Sequence, residues 1–221
     1  MPRRVSSSPT SLQAIIFDIG RVIVRVEPKR ALAKLAAAAP GATSPKHAAH
    51  RMTGDEIWQA IQTDPLWPGW QEGRVTPARW HKNLCGRFDL KFSFQAFSDA
   101  WSSTIPPKLI LPESLFARLA KRCRLVLLSN TDPIHVAHME ANFGFMRHFS
   151  ARIYSCAVGV SKPCRAIFLK AICAAQAPKK NILFVDDVVE YVVAAKRIGL
   201  QAVQFRDRKQ LEAELRRRGV L

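Results

Sequence analysis

Short, mostly apolar runs that end abruptly in polar residues recur along this 221-residue chain and constrain its fold more than any other feature. Four of them are rich in aliphatic and β-branched residues: 12–17 (LQAIIF), 124–129 (RLVLLS), 182–185 (ILFV) and 202–205 (AVQF). Such runs are typical of strands buried on both faces of a parallel sheet. Stretches with helical spacing separate them, at 113–122, 133–142, 165–175 and 190–197. The alternation predicts an α/β fold with a Rossmann-like parallel sheet wrapped by helices.

Residues 28–104 interrupt this alternation, because they contain no buried-strand run. Helical patterns appear there instead, at 29–38, 55–62, 77–84 and 94–102, with proline and glycine between them. We predict an inserted α-helical cap over 28–104, a core formed by 12–27 and 105–221, and a disordered lead-in over 1–11. Most of the five tryptophans in the cap are expected to pack inside it, with one or two at the substrate cleft. The alternating residues 21–26 (RVIVRV) predict a short hairpin beyond the first strand.

Polar residues able to do chemistry follow the apolar runs. In order along the chain they are Asp18, Gly20, Ser129, Asn130, Thr131, Lys162, Asp186 and Asp187. Because ligands of parallel α/β sheets bind beyond the carboxyl ends of the strands, we expect these residues to lie together at one edge.

The residue types found there are those that phosphoryl transfer requires. A carboxylate such as Asp18 can attack phosphorus, and several carboxylates together supply the oxygen ligands that Mg²⁺ prefers. Ser129 and the backbone N–H of Asn130 can bind phosphoryl oxygens at the start of a helix. Lys162 adds a positive charge for the nucleophile and the phosphoryl group. Without a cation, carboxylates this close should raise the pKa of at least one of them.

Four segments in this order resemble the four motifs of the haloacid dehalogenase (HAD) superfamily: FDIG at 17–20, LLSNT at 127–131, SKP at 161–163 and FVDD at 184–187. The first is similar to the FDxG motif of phosphatases with a helical cap, among them α-D-glucose-1-phosphate phosphatases. The resemblance implies that Asp18 is the nucleophile, and that Lys162 acts beside it. It implies phosphate binding by Ser129, Asn130, Thr131 and Lys162, and Mg²⁺ binding by Asp18, the carbonyl of Gly20, Asp187 and, directly or through water, Asp186.

Two positions near these motifs leave alternatives open. His135 stands where the sugar-phosphate phosphatases also carry a histidine, so it either contacts substrate, replaces a general acid, or bonds locally within its helix. Tyr191 stands where related sequences often have asparagine, which puts the support of the last loop in question.

Gly20 departs from the pattern, because most phosphatases of the superfamily carry a general-acid aspartate there. Loss of such an acid usually costs about 10²–10⁴-fold in rate. Three alternatives follow: a leaving group good enough to depart without it, such as an anomeric sugar phosphate; hydrolysis of a carbon–halogen bond; or a catalytically impaired protein that only binds. The first is favoured, because Asp186 and Asp187 indicate a metal that dehalogenation does not need.

The charge and cysteine content limit the partners. With 34 Lys and Arg against 17 Asp and Glu, the net charge is +17, which attracts anions of any kind. Nucleic acid is not the expected partner, because basic and aromatic residues are not interleaved. The apolar runs are too short to span a bilayer, so no membrane partner is expected. Five cysteines without a CxxC spacing indicate a reducing, cytoplasmic compartment.

The sequence therefore predicts a cytoplasmic, Mg²⁺-dependent phosphatase that hydrolyses a small phosphorylated metabolite through an aspartyl-phosphate. A sugar phosphate is the favoured substrate. A 2-haloacid dehalogenase and an inactive HAD-fold binding protein are the alternatives, and no feature of the sequence indicates an oligomeric state.

Overall fold

The computed structural model describes residues 12–29, 54–88 and 91–221 and contains a five-stranded parallel sheet in the order β3-β2-β1-β4-β5. The strands are β1 (Ala14–Phe17), β2 (Arg124–Ser129), β3 (Ala151–Tyr154), β4 (Ile182–Asp186) and β5 (Gln201–Gln204). Phe17, at the end of β1, lies opposite Leu127 on one side and Val185 on the other. The predicted parallel α/β sheet is confirmed. The predictions for residues 1–11 and for most of the helix at 29–38 lie outside the described residues.

The described part of the chain also contains ten α-helices, five of which lie between β1 and β2. They are α1 (Gly54–Gln62), α2 (Trp67–Gln71), α3 (Pro77–Phe88), α4 (Phe94–Ser102), α5 (Glu113–Leu119), α6 (Pro133–Asn142), α7 (Ser155–Val158), α8 (Arg165–Ala175), α9 (Val189–Arg197) and α10 (Arg208–Arg217). Short 3₁₀ turns occur at Gly144–His148 and Lys179–Asn181. None of the described helices is long and apolar enough to cross a bilayer.

Both faces of the sheet are buried, which explains the continuous apolar runs in the sequence. Ile15 and Phe17 of β1 belong to one hydrophobic cluster, whereas Ile16 belongs to a second cluster on the opposite face. All three are fully buried, and burial of such a side chain contributes about 1.5–3 kcal/mol. β1 is therefore packed on both of its faces up to Phe17, the residue before Asp18.

The segment between β1 and β2 is helical in its described part and has its own apolar core. Trp70, Trp80 and Trp101 are fully buried there, and the rings of Trp70 and Trp80 stack with their centroids 5.7 Å apart. Ile134 of α6 belongs to the same cluster, so this core continues onto the sheet domain. We call residues 54–104 the inserted segment. Its action as a cap, and the domain bounds given above, stay predictions.

The hairpin predicted at 21–26 is wrong, because the chain forms a tight turn there. The backbone N–H groups of Ile23 and Val24 both donate to the carbonyl of Ile19, at 2.8 and 3.0 Å. Val22, Ile23 and Val24 are all fully buried, so the alternation in the sequence does not correspond to alternation between two faces. Arg21 occupies the left-handed region at φ 59°, which lets the chain reverse directly after Gly20.

Three consecutive arginines, at 216–218, stand at the end of α10 and pair with glutamates of that helix. Arg216 bonds to Glu212 at 2.9 Å, and Arg217 bonds to Glu214 at 2.7 Å. Leu211 on the same helix is buried in the core. This run is therefore a charged outer face of a packed helix.

Gly73 of the inserted segment lies against the backbone of α7, and a substitution at this position tests the contact between the two. Its φ is +71°, and a Cβ there would collide with the backbone carbonyl oxygen of Cys156. We expect Gly73→Ala to lower the free energy of unfolding by about 2 kcal/mol or more, measured by urea denaturation. Gly86→Ala is the control, since a Cβ at that helical position meets no atom within 4 Å and should stabilise by about 0.5–1 kcal/mol. Equal stability of the two variants would contradict the close contact.

Candidate functional site

The carboxyl ends of β1, β2 and β4 bring the predicted polar residues together around one buried lysine. The Nζ atom of Lys162 lies 2.7 Å from Oδ1 of Asp18 and 2.6 Å from Oδ2 of Asp186, and its side chain is 1% exposed. It also donates to the carbonyl of Leu128, at 3.2 Å. Lys162 comes from the loop between α7 and α8, so four separate parts of the chain meet at its ammonium group: this loop and the ends of β1, β2 and β4.

The electrostatics of this cluster follow from burial and from the crowding of like charges. Burial, and then repulsion from Asp18, raise the pKa of Asp186 to about 7, although Lys162 opposes both effects. Burial also raises the pKa of Asp187, with a further increase from Asp18, while Arg21 opposes it. Burial alone would lower the pKa of Lys162, but the charges of Asp18 and Asp186 outweigh it and raise that pKa. The raised pKa values of Asp186 and Asp187 agree with the expectation that crowding raises the pKa of at least one carboxylate.

The donor set fits Mg²⁺. One carboxylate oxygen from each of Asp18, Asp186 and Asp187 lies within 4.8 Å of the others. In the described part of the chain, the carbonyl oxygen of Gly20 accepts no backbone hydrogen bond, so it is free to act as a further oxygen ligand. Oxygen-only sets rich in carboxylate are those that Mg²⁺ prefers.

The two adjacent aspartates, Asp186 and Asp187, differ in burial and in bonding partners. Asp186 is fully buried, bonded to Lys162 and to the backbone N–H of Val188 at 2.8 Å. Asp187 is half-buried and forms an ion pair with Nε of Arg21, at 2.8 Å. Asp187 is therefore the better placed of the two to ligate a cation directly, as the sequence motif implies.

Asn130 braces the lysine loop through its side chain. Its Oδ1 accepts from the backbone N–H of Lys162 at 2.8 Å, and its Nδ2 donates to the carbonyl of the same residue at 2.9 Å. The amide is thus fully engaged with position 162. Because the side chain is occupied in this way, Asn130 would bind a phosphoryl group through its backbone N–H, next to the hydroxyl of Ser129.

Two further residues hold these loops: Tyr191, whose support the sequence left in question, and Ser155, which sequence reasoning missed. The hydroxyl of Tyr191 accepts from Nδ2 of Asn130 at 3.3 Å, and Nζ of Lys162 lies 5.0 Å from the centre of its ring. Tyr191 therefore supports the loop at the position where asparagine was expected. The hydroxyl of Ser155 accepts from the backbone N–H of Thr131 at 2.9 Å and donates to the carbonyl of Gln71 at 2.6 Å. No motif in the sequence marks Ser155.

His135 lies in the wall of the same cavity, with both ring nitrogens bonded to the protein. Nδ1 is 2.8 Å from Oδ2 of Asp132, and Nε2 is 3.0 Å from the carbonyl of Trp101 and 2.8 Å from the hydroxyl of Thr104. Burial alone would lower the pKa of His135, but Asp132 reverses this and raises it. The carboxylate and the carbonyl can only accept, so the geometry fits an imidazolium. It favours local bonding over a role as substitute acid.

A side chain at position 20 would make one tight contact with a neighbouring side chain. A Cβ on Gly20 would lie 3.3 Å from a methyl carbon of Val26, so the neighbouring side chain would have to move for any larger residue. The turn at 20–24 thus fits a glycine.

A cavity of about 450 Å³ opens above the cluster. Its wall contains most of the predicted site residues, namely Asp18, Gly20, Ser129, Asn130, Thr131, His135, Lys162 and Asp187. Trp58, Gln62, Trp67 and Gln71 of the inserted segment complete the wall. The volume lies within the range of small-molecule sites.

Comparison with known proteins places this chain in a family of hydrolases. A model of haloacid dehalogenase-like hydrolases matches residues 12–199, and the chain belongs to this family. No curated protein matches the sequence significantly.

Several solved structures share the fold. A HAD family enzyme from Bacteroides thetaiotaomicron in complex with magnesium is similar, with a TM-score of 0.73 and 19% identity, covering 93% of this chain and 99% of that chain. The same enzyme with magnesium and inorganic phosphate gives a TM-score of 0.68 at 19% identity, over 89% and 96% of the two chains. L-2-haloacid dehalogenase from Xanthobacter autotrophicus, with chloropropionic acid covalently bound, gives 0.58 at 20% identity, over 95% and 84%.

A cation held by the carboxylates should stabilise the folded protein. At about 100 times its Kd, Mg²⁺ should add about 2.7 kcal/mol, which raises Tm by about 5–10 °C for a chain of this length. We expect this shift in protein freed of metal with a chelator. Asp187→Asn should remove most of it, whereas Asp99→Asn, an exposed aspartate outside the cavity, should retain it. An undiminished shift in Asp187→Asn would argue against this ligand set.

Proposed function

We propose that the chain is a Mg²⁺-dependent phosphatase that hydrolyses a small phosphate monoester, with a sugar phosphate as the favoured substrate. The observation that carries this proposal is the contact between Asp18 and Lys162, within a set of three carboxylates to which Asp18 itself belongs. A nucleophile, a cation-binding oxygen set and a fixed positive charge in one small cavity are the parts that phosphoryl transfer needs.

In the proposed reaction, a carboxylate oxygen of Asp18 attacks phosphorus. The bond between phosphorus and the leaving-group oxygen breaks, and Asp18 carries the phosphoryl group as an acyl phosphate. Water then attacks phosphorus, which releases inorganic phosphate and restores the carboxylate. The ammonium of Lys162 orients the carboxylate of Asp18, and Ser129 with the N–H of Asn130 binds the phosphoryl oxygens.

The metal would be held by Asp18, Asp187 and the carbonyl of Gly20, and by Asp186 directly or through water. When bound, Mg²⁺ supplies positive charge that offsets the charge on the phosphoryl oxygens. The related enzyme from Bacteroides thetaiotaomicron, whose structure contains magnesium and inorganic phosphate, supports this assignment.

Gly20 leaves the leaving group without a carboxylic acid at the usual position. The proposal therefore favours substrates whose leaving oxygen departs readily with a proton from water, such as an anomeric sugar phosphate.

All five cysteines are unpaired, which supports the cytoplasm as the compartment in which the enzyme works.

Replacement of the nucleophile tests the mechanism. We expect Asp18→Asn to lower kcat by about 10³-fold or more, because an amide oxygen is a poor nucleophile, while the fold is retained. Removal of Mg²⁺ by a chelator should have a comparable effect. Asp207→Asn is the matched control, since asparagine caps a helix as well as aspartate does. Phosphate release from a panel of sugar phosphates, with Tm as the measure of folding, is the assay. Full activity in Asp18→Asn would exclude the mechanism.

A 2-haloacid dehalogenase is the second candidate, favoured by Gly20 and by the fold shared with the Xanthobacter enzyme. A halide leaves without a proton, so this reaction needs no acid at position 20. The dehalogenase hypothesis requires chloride release from 2-chloropropionate in the presence of a chelator, whereas our proposal expects none. Failure of both assays would favour the third alternative, a HAD-fold protein that only binds its ligand.

A further inference from the structure

The part of the cavity wall that comes from the inserted segment differs from the rest of that segment. Three of its tryptophans, Trp70, Trp80 and Trp101, are at most 1% exposed and form its core. Trp58 and Trp67 are only half-buried and line the cavity. Their rings meet edge to face, with centroids 5.8 Å apart at 83°.

Two aromatic rings at a right angle form a corner, which favours one shape of ligand. A flat base is best held between or upon parallel faces. A puckered ring fits a corner better, because its C–H groups can pack against one aromatic face while its hydroxyl groups point towards neighbouring polar side chains.

The other two side chains that the inserted segment contributes to the cavity wall are amides. Gln62 of α1 and Gln71 of α2 line the cavity, and no described protein group bonds to either side-chain amide. The backbone of Gln71 is fixed, since its carbonyl accepts from Ser155 at 2.6 Å. Each amide offers both donors and an acceptor, which suits hydroxyl groups that also donate and accept.

The charges on the wall are already paired. Among the described residues that line the cavity, Arg21 pairs with Asp187, His135 with Asp132, and Lys162 with Asp18. A second anionic group on a substrate would lose its hydration without gaining an unpaired cation, which is costly. The wall therefore favours a leaving group without charge.

We propose that Trp58, Gln62, Trp67 and Gln71 form a specificity subsite that selects an uncharged, hydroxylated, puckered ring as the leaving group. Such a ring has the chemistry of a monosaccharide. The inference rests on the proposed phosphatase function and names the residues that choose its substrate.

Paired substrates that differ in one charged group test this subsite. The assay compares kcat/KM for glucose 1-phosphate, glucose 1,6-bisphosphate and adenosine 5′-monophosphate, with acetyl phosphate reporting the core chemistry on a minimal leaving group. We expect the wild type to prefer glucose 1-phosphate to each of the other two esters by about tenfold or more. Gln62→Lys places an unpaired ammonium in the wall and should shift the ratio towards the bisphosphate by about tenfold.

Gln59→Lys is the matched control, because it adds the same charge to an exposed position of the same helix outside the cavity. It should leave the ratio unchanged. An equal shift in the two lysine variants would overturn the subsite, as would a wild type that prefers the bisphosphate or the nucleotide. Acetyl phosphate turnover in those cases would leave the phosphatase function standing. No turnover of any of the four substrates would overturn both.

Discussion

The site depends on one buried ammonium group that lies between two carboxylates. Lys162 contacts Asp18 from β1 and Asp186 from β4, and it reaches them from a loop that follows β3 and α7. Removing one member of a buried ion pair typically costs about 3–5 kcal/mol, because the remaining charge has no partner. Asn130 and Tyr191 fix the loop that delivers this lysine. The ammonium group of Lys162 thus links the sheet, the loop and the polar side chains.

The central strands could be predicted from the sequence because both of their faces are buried. β1, β2 and β4 are continuous apolar runs, and each is followed by a polar residue that emerges at the same edge. β3 was missed because it lies at the edge of the sheet and is short, with an exposed Arg152 in its centre. The turn at 20–24 was misread because local hydrogen bonds, which leave no periodic signal, decide its shape.

The convergence of Asp18, Ser129, Lys162 and Asp187 on one cavity was predictable, since parallel strands align their carboxyl ends. The partners that orient them were not. Tyr191 supports a loop from a helix 61 positions away from Asn130, and Ser155 links two loops through a single hydroxyl. Such contacts depend on how separate elements pack, and one tyrosine or serine in a sequence does not reveal them.

Asp132 has a consequence for how this architecture can be altered. Its Oδ1 accepts from the backbone N–H groups of Ile134 and His135 at the start of α6, and its Oδ2 accepts from the indole N–H of Trp101, at 3.0 Å. One carboxylate therefore bonds both to the start of α6 and to the last helix of the inserted segment. Transplanting a different insertion without Trp101 onto this scaffold would remove one of the two side-chain partners of Oδ2 and leave it only Nδ1 of His135, at 2.8 Å.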